Sequence, residues 1–65
     1  MTFGQAMQEV AIGKRVRRLE WAQKETYLAL NNNQLSIFKP EDKNLHPLIV
    51  SLGDILGDDW VIVGH

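Results

Sequence analysis

The chain has no cysteine. Disulfides are therefore excluded, and with them any thiolate metal site or thiol nucleophile. Its two histidines, His46 and His65, lie nineteen positions apart and form no ligand cluster. There are two prolines and five aromatic residues in 65, and no stretch approaches the roughly 20 apolar residues of a membrane span. Met1 to Gln8 is neither basic nor followed by a long apolar run, so no secretory leader is expected there. A broad positive surplus is also missing. With seven basic and eight acidic residues the net charge is −1, which argues against a general polyanion or nucleic-acid binder.

Other missing features bear on catalysis. There is no P-loop, no Gly-x-Gly-x-x-Gly and no zinc spacing. Ser51 and His46 are near in sequence, but nothing activates Ser51 as a nucleophile. Asp58-Asp59 is an adjacent carboxylate pair of the kind usually found simply exposed. No constellation of nucleophile, base and metal can be assembled, so a binding function is expected, with no cofactor and no metal. Length sets a further bound. A single domain of 65 residues buries only about 60% of its unfolded surface and is marginal alone. Without disulfides or a metal, self-association is the expected source of extra burial, most simply a two-fold dimer or a dimer of dimers.

What is present is a dense basic stretch. Gly13 to Trp21 holds Lys14, Arg15, Arg17 and Arg18, four of the seven basic residues, and closes on a tryptophan. Guanidinium forks suit phosphates and a π face suits a base. The same run also fits a solvated edge strand whose charges discourage aggregation.

Around that stretch the pattern predicts an α+β domain, a helix laid on a small antiparallel sheet. Thr2-Phe3-Gly4-Gln5 reads as a capping box. Phe3, Ala6, Met7, Val10 and Ala11 form one helical stripe, and Gly13 ends the helix as a left-handed cap. Lys14 to Leu19 is expected as a strand, with Val16 and Arg18 on one face and Arg15 and Arg17 on the other. Thr26 to Leu30 and Gln34 to Phe38 form a hairpin about Asn31-Asn32-Asn33. Leu28 and Leu30 share a face, as do Leu35 and Ile37. Lys39 to Asn44 is a loop. Leu45 to Val50, interrupted by Pro47, is an edge strand or extended segment. Ser51-Leu52-Gly53-Asp54 caps a helix of a turn or two that Gly57 stops. Trp60 to Val63 is a terminal strand. Trp60 is expected in the core; Trp21, ahead of a polar turn, is either core or site.

The helix closing on Gly13-Lys14, then Val16-Arg17-Arg18 and Trp21, the strand bearing Tyr27, and the terminal set Asp54, Ile55, Leu56, Asp59, Trp60, Ile62 and Val63 resemble one family over essentially the whole chain. It is the short phage and prophage domain known as the second Thoeris anti-defence family. The resemblance implies a non-enzymatic sponge acting in the host bacterial cytoplasm. Its members assemble as homo-oligomers, described as tetramers. They sequester the cyclic ADP-ribose isomer made by TIR-domain proteins, and some relatives are reported to capture cyclic oligonucleotides. It further implies that Trp21 stacks on the ligand, that Arg17 and Arg18 hold phosphate, and that Ser51 and Asp54 meet polar ligand atoms. Tyr27 joins the same binding set. Leu48 stands where many members carry tryptophan, and Gly57 where many carry alanine. A reading of another class has the basic strand contact an acidic host enzyme and inhibit it directly.

Overall fold

The computed structural model describes residues 1–48 and 50–63. His65, and the part of the expected edge strand at Ile49, lie outside the described residues. Helix α1 spans Phe3–Ala11 and helix α2 Leu52–Leu56. The strands are β1 (Val16–Arg18), β2 (Tyr27–Asn31), β3 (Gln34–Lys39), β4 (Asn44–Pro47) and β5 (Trp60–Ile62). They make one antiparallel sheet in the order β4-β3-β2-β1-β5, so the chain's last strand lies beside its first.

Both caps form as the sequence predicts. The Thr2 hydroxyl accepts from the Gln5 N–H at 3.2 Å, and the Thr2 N–H donates to Gln5 Oε1 at 2.9 Å. At the other end Gly13 adopts φ +98°, a left-handed value that glycine takes at no steric cost. Its N–H reaches the Val10 carbonyl, and the Lys14 N–H reaches that of Glu9. This is the paired closure of a Schellman motif. Lys14 Nζ then meets the Glu9 carboxylate at 3.0 Å. For α2, Ser51 Oγ accepts from the Asp54 N–H, and Gly57 closes the helix.

The β2–β3 hairpin is tighter than expected. Asn31 pairs with Gln34 inside the ladder, leaving Asn32-Asn33 as a two-residue loop with both φ values positive, 54° and 62°. Such a loop matches the right-handed strand twist, and asparagine tolerates its backbone. The β3–β4 turn is held by Asp42, which accepts from the Asn44 N–H at 3.1 Å and lies 2.8 Å from His46 Nε2. That amide, with His46 beside it, keeps the Asp42 carboxyl below the usual carboxylate range. Strand β4 ends at Pro47 on the sheet edge, where a missing N–H is tolerated. The register then resumes, with the Leu48 N–H donating to the Leu35 carbonyl.

Alternation divides the sheet. One face carries Val16, Leu28 and Trp60, which pack under Ala6 and Val10 of α1 to form the core. Leu35 and Ile37 join them from the side. Leu30 shares that face but is 45% exposed, at the hairpin end of the sheet. Two aromatic rings pack edge-on against Trp60, Phe3 at 5.6 Å and Trp21 at 5.5 Å between centroids.

Candidate functional site

Strand β1 is short, and its alternation decides what each arginine can do. Val16 is fully buried, so Arg18, two residues on, points to the same core side and is only 7% exposed. A buried guanidinium requires compensation. Arg18 Nε donates to Asp59 Oδ1 at 2.8 Å, and Nη1 donates to Asp54 Oδ1 at 3.0 Å with Glu20 Oε2 at 3.3 Å. Asp59 Oδ2 also accepts from the Glu20 N–H. The hydrogen bonds that Arg18 donates to Asp59 and then to Asp54 raise its pKa above the ordinary value, and the Arg18 bond holds Asp59 below the usual carboxylate range. The backbone at Gly57 lies close to this guanidinium. A Cβ there would stand 2.7 Å from Nη2 and 2.8 Å from Cζ. Gly57 has an ordinary extended conformation, so the close approach, and not its φ, calls for glycine.

Arg18 thus ties α2 and the segment before β5 to β1. Asp54 is the link from this clamp to the surface. Its carboxylate faces Arg18, its backbone carbonyl accepts from the Trp60 indole N–H at 3.1 Å, and it lines an open cleft of about 500 Å³. Trp21, Thr26, Ile37, Lys39, Glu41 and Leu48 line the same cleft. A volume of this order suits a small ligand, and the lining mixes an aromatic ring and apolar walls with a few polar groups. Ser51 is exposed and bound into the α2 cap beside Asp54.

The six predicted residues do not form one set. Trp21 and Asp54 meet in the cleft, with Arg18 beneath them and Ser51 adjacent. Arg17 and Tyr27 belong to the opposite face of the sheet, by alternation with Arg18 and Leu28. There the Tyr27 ring stacks on Phe38 at 4.9 Å and carries the Arg15 guanidinium 4.7 Å from its centroid. Arg17 Nη2 donates to the Trp21 carbonyl, while its Nε is buried with no partner among the described residues. A second, smaller cleft of about 400 Å³ lies between Lys14, Arg15 and the end of β5.

The sequence reading missed Asp59 and Glu20 as partners of Arg18, and missed Lys39, Thr26 and Glu41 in the cleft. For the clamp a signal existed. Placing Arg18 on the Val16 side already demands carboxylates, and the late aspartates are the available supply.

A family model for the Thoeris anti-defense 2-like domain matches residues 1–63. The chain belongs to this family. Comparison with curated proteins gave no match. The match runs from the cap of α1 past the end of β5, so both the clamp and the cleft of this Thoeris anti-defense 2-like domain fall inside it. Among its described residues, no helix is long and apolar enough to cross a membrane, and no group of three or more His, Asp or Glu side chains is placed to hold a metal ion.

Proposed function

We propose that this Thoeris anti-defense 2-like protein is a non-enzymatic sponge. It sequesters a cyclic nucleotide signal in the host cytoplasm and so suppresses anti-phage defence. The ligand class is the cyclic ADP-ribose isomer made by TIR-domain proteins, with cyclic oligonucleotides as further candidates. The observation that carries this reading is the cleft that joins Trp21 to Asp54 in a chain of an anti-defence family. The Trp21 indole offers a face for adenine, and the Asp54 carboxylate offers an acceptor for ribose hydroxyls. The wall that presents them is preorganised. Arg18 fixes Asp54, and Trp60 supports Trp21 from behind. A rigid wall reduces the ordering cost of binding, which a sponge in competition with a receptor needs.

Self-association is part of the proposal. The face carrying Tyr27, Phe38, Leu45 and Val61 has no element packed on it among the described residues, and we assign it to contact between copies.

A capture-and-release assay tests the function. The protein is mixed with cyclic ADP-ribose isomers and cyclic di- and trinucleotides, freed of unbound ligand, and denatured. One intact ligand in the supernatant is the expected result. A chemically altered ligand would make the protein an enzyme. Recovery of nothing would shift the reading to direct inhibition of a host enzyme. Arg15 and Arg17, which have no carboxylate partner among the described residues and lie beside an aromatic pair, would then be the contact surface, and a stoichiometric host protein in a pull-down would identify the partner.

A further inference from the structure

Phosphate recognition in this cleft needs a cation that is free to act, and the charges around it can be followed one by one. Arg18 is not free. One guanidinium stands against three carboxylates, those of Glu20, Asp54 and Asp59, so that cluster presents two negative charges to an approaching anion. Arg15 and Arg17 lie on the other face of the sheet, Arg15 stacked on Tyr27. Lys14 is paired with Glu9. Within the cleft, Glu41 adds a further carboxylate with no ion-pair partner among the described residues. Among the described residues, the one cation in the cleft lining is Lys39. It closes β3 opposite Asn44, on the same face as Ile37, which also lines the cleft. Its ammonium has no carboxylate within ion-pair distance among the described residues.

We propose that Lys39 is the residue that meets the ligand's phosphate, in place of Arg17 and Arg18. The proposal rests on the cleft being the nucleotide site. A lysine serves such a contact as a compact point charge on a flexible stem, without a guanidinium's bidentate geometry. The cleft is then electrically graded. Acidic surroundings at Asp54 hold phosphate away and favour hydroxyl and amino donors, while Lys39 attracts the phosphate. This polarity fixes which way round a nucleotide enters. It also makes Lys39 the residue that separates phosphorylated ligands from nucleosides.

Isothermal titration of the full chain with ADP-ribose, cyclic ADP-ribose, a cyclic dinucleotide, a cyclic trinucleotide and adenosine tests the proposal, using Lys39→Met, Lys39→Arg, Trp21→Ala and, as a control away from the cleft, Lys14→Met. Lys39→Met should weaken the phosphate-bearing probes by roughly ten- to a hundredfold, the range for one hydrogen bond to a charged group. Its binding should lose most of the wild type's dependence on ionic strength, and any adenosine binding should be unaffected. Lys39→Arg should recover most of the affinity, and Lys14→Met should behave as wild type. Lys39 is exposed, so the melting temperature of Lys39→Met should match the wild type. If Trp21→Ala abolishes binding and Lys39→Met does not weaken it, the Lys39 assignment is wrong and the cleft stands as the site. If the wild type binds none of the phosphate-bearing probes, the cleft reading falls and takes Lys39 with it.

Discussion

Arg18 and Gly57 show how two residue types can be fixed by one contact. The guanidinium occupies the space a side chain at position 57 would need. Gly57→Ala therefore requires the Arg18 guanidinium to shift, straining its bonds to Asp54 and Asp59 although no charge is removed. It should cost about 1–3 kcal/mol, the usual range for overpacking. For a domain this small that is a drop of roughly 4–8 °C in Tm per kcal/mol, read from a thermal melt. Trp21 has two duties, and they can be separated. Trp21→Ala removes both the face offered to a ligand and the edge-on contact with Trp60, worth about 0.5–1.5 kcal/mol beyond its area. Binding should vanish while the fold survives. An unfolded variant would make Trp21 a core residue and remove it from the site. Beside Asp42, Asp59 carries part of the pH dependence. Its folded pKa is depressed by Arg18. The stability it contributes is complete above the unfolded value of about 3.9 and is lost as pH falls through that value toward the lower folded one. Asp59→Asn should be less stable than wild type near neutral pH, and the gap should narrow below about pH 4. A constant gap across that range would show that the Asp59 charge contributes nothing.

At the scale of elements, the ends were more legible than the middles. Both capping boxes, the left-handed Gly13 and the asparagine turn could be read because a cap or tight turn is written within four or five consecutive residues. The alternation of β1 was legible too, and correctly put Arg18 with Val16. Strand lengths were not. β1 (Val16–Arg18) and β5 (Trp60–Ile62) are shorter than the expected Lys14 to Leu19 and Trp60 to Val63, although the hydrogen bonds Val63 N–H to Arg15 O and Leu19 N–H to Asp59 O carry the pairing past their ends. The candidate site was legible only as a set of residues, not as their grouping. Trp21 and Asp54 line one cleft while Tyr27 lies across the sheet, because strand order places residues that spacing along the chain cannot. Nor could any local pattern join Arg18 to Asp59, 41 residues later. The α1 cap can be tested by itself. Thr2→Ala removes the acceptor for the Gln5 N–H and should destabilise the protein by about 1 kcal/mol. Thr2→Ser should restore nearly all of that, and equal melts for all three proteins would show the cap to be idle.

At the scale of the molecule, the question is what covers the second face of the sheet. Among the described residues, five apolar side chains are buried, all on the α1 side or in α1 itself. So small a core leaves a lone domain marginal. The opposite face is polar at the hairpin end, where Asn31 pairs with Gln34 and Ala29 with Ser36, but apolar beside it. Tyr27 pairs with Phe38, Phe38 with Leu45, and Arg17 with Val61. An apolar face of this kind, with arginines at its side, matches the make-up of interfaces. Packing two such faces together would hide the aromatic pair and extend the core without a new fold element. Phe38→Glu places a carboxylate in the centre of that contact, where desolvation opposes association, and leaves the α1 side untouched. The wild type should sediment as a multiple of the 7.4 kDa chain, and Phe38→Glu should sediment as that chain alone with a lower melting temperature. A wild type already monomeric at high concentration, or a Phe38→Glu variant of unchanged mass, would leave this face to solvent or to another partner. The cleft with Trp21 would then have to work within a single chain.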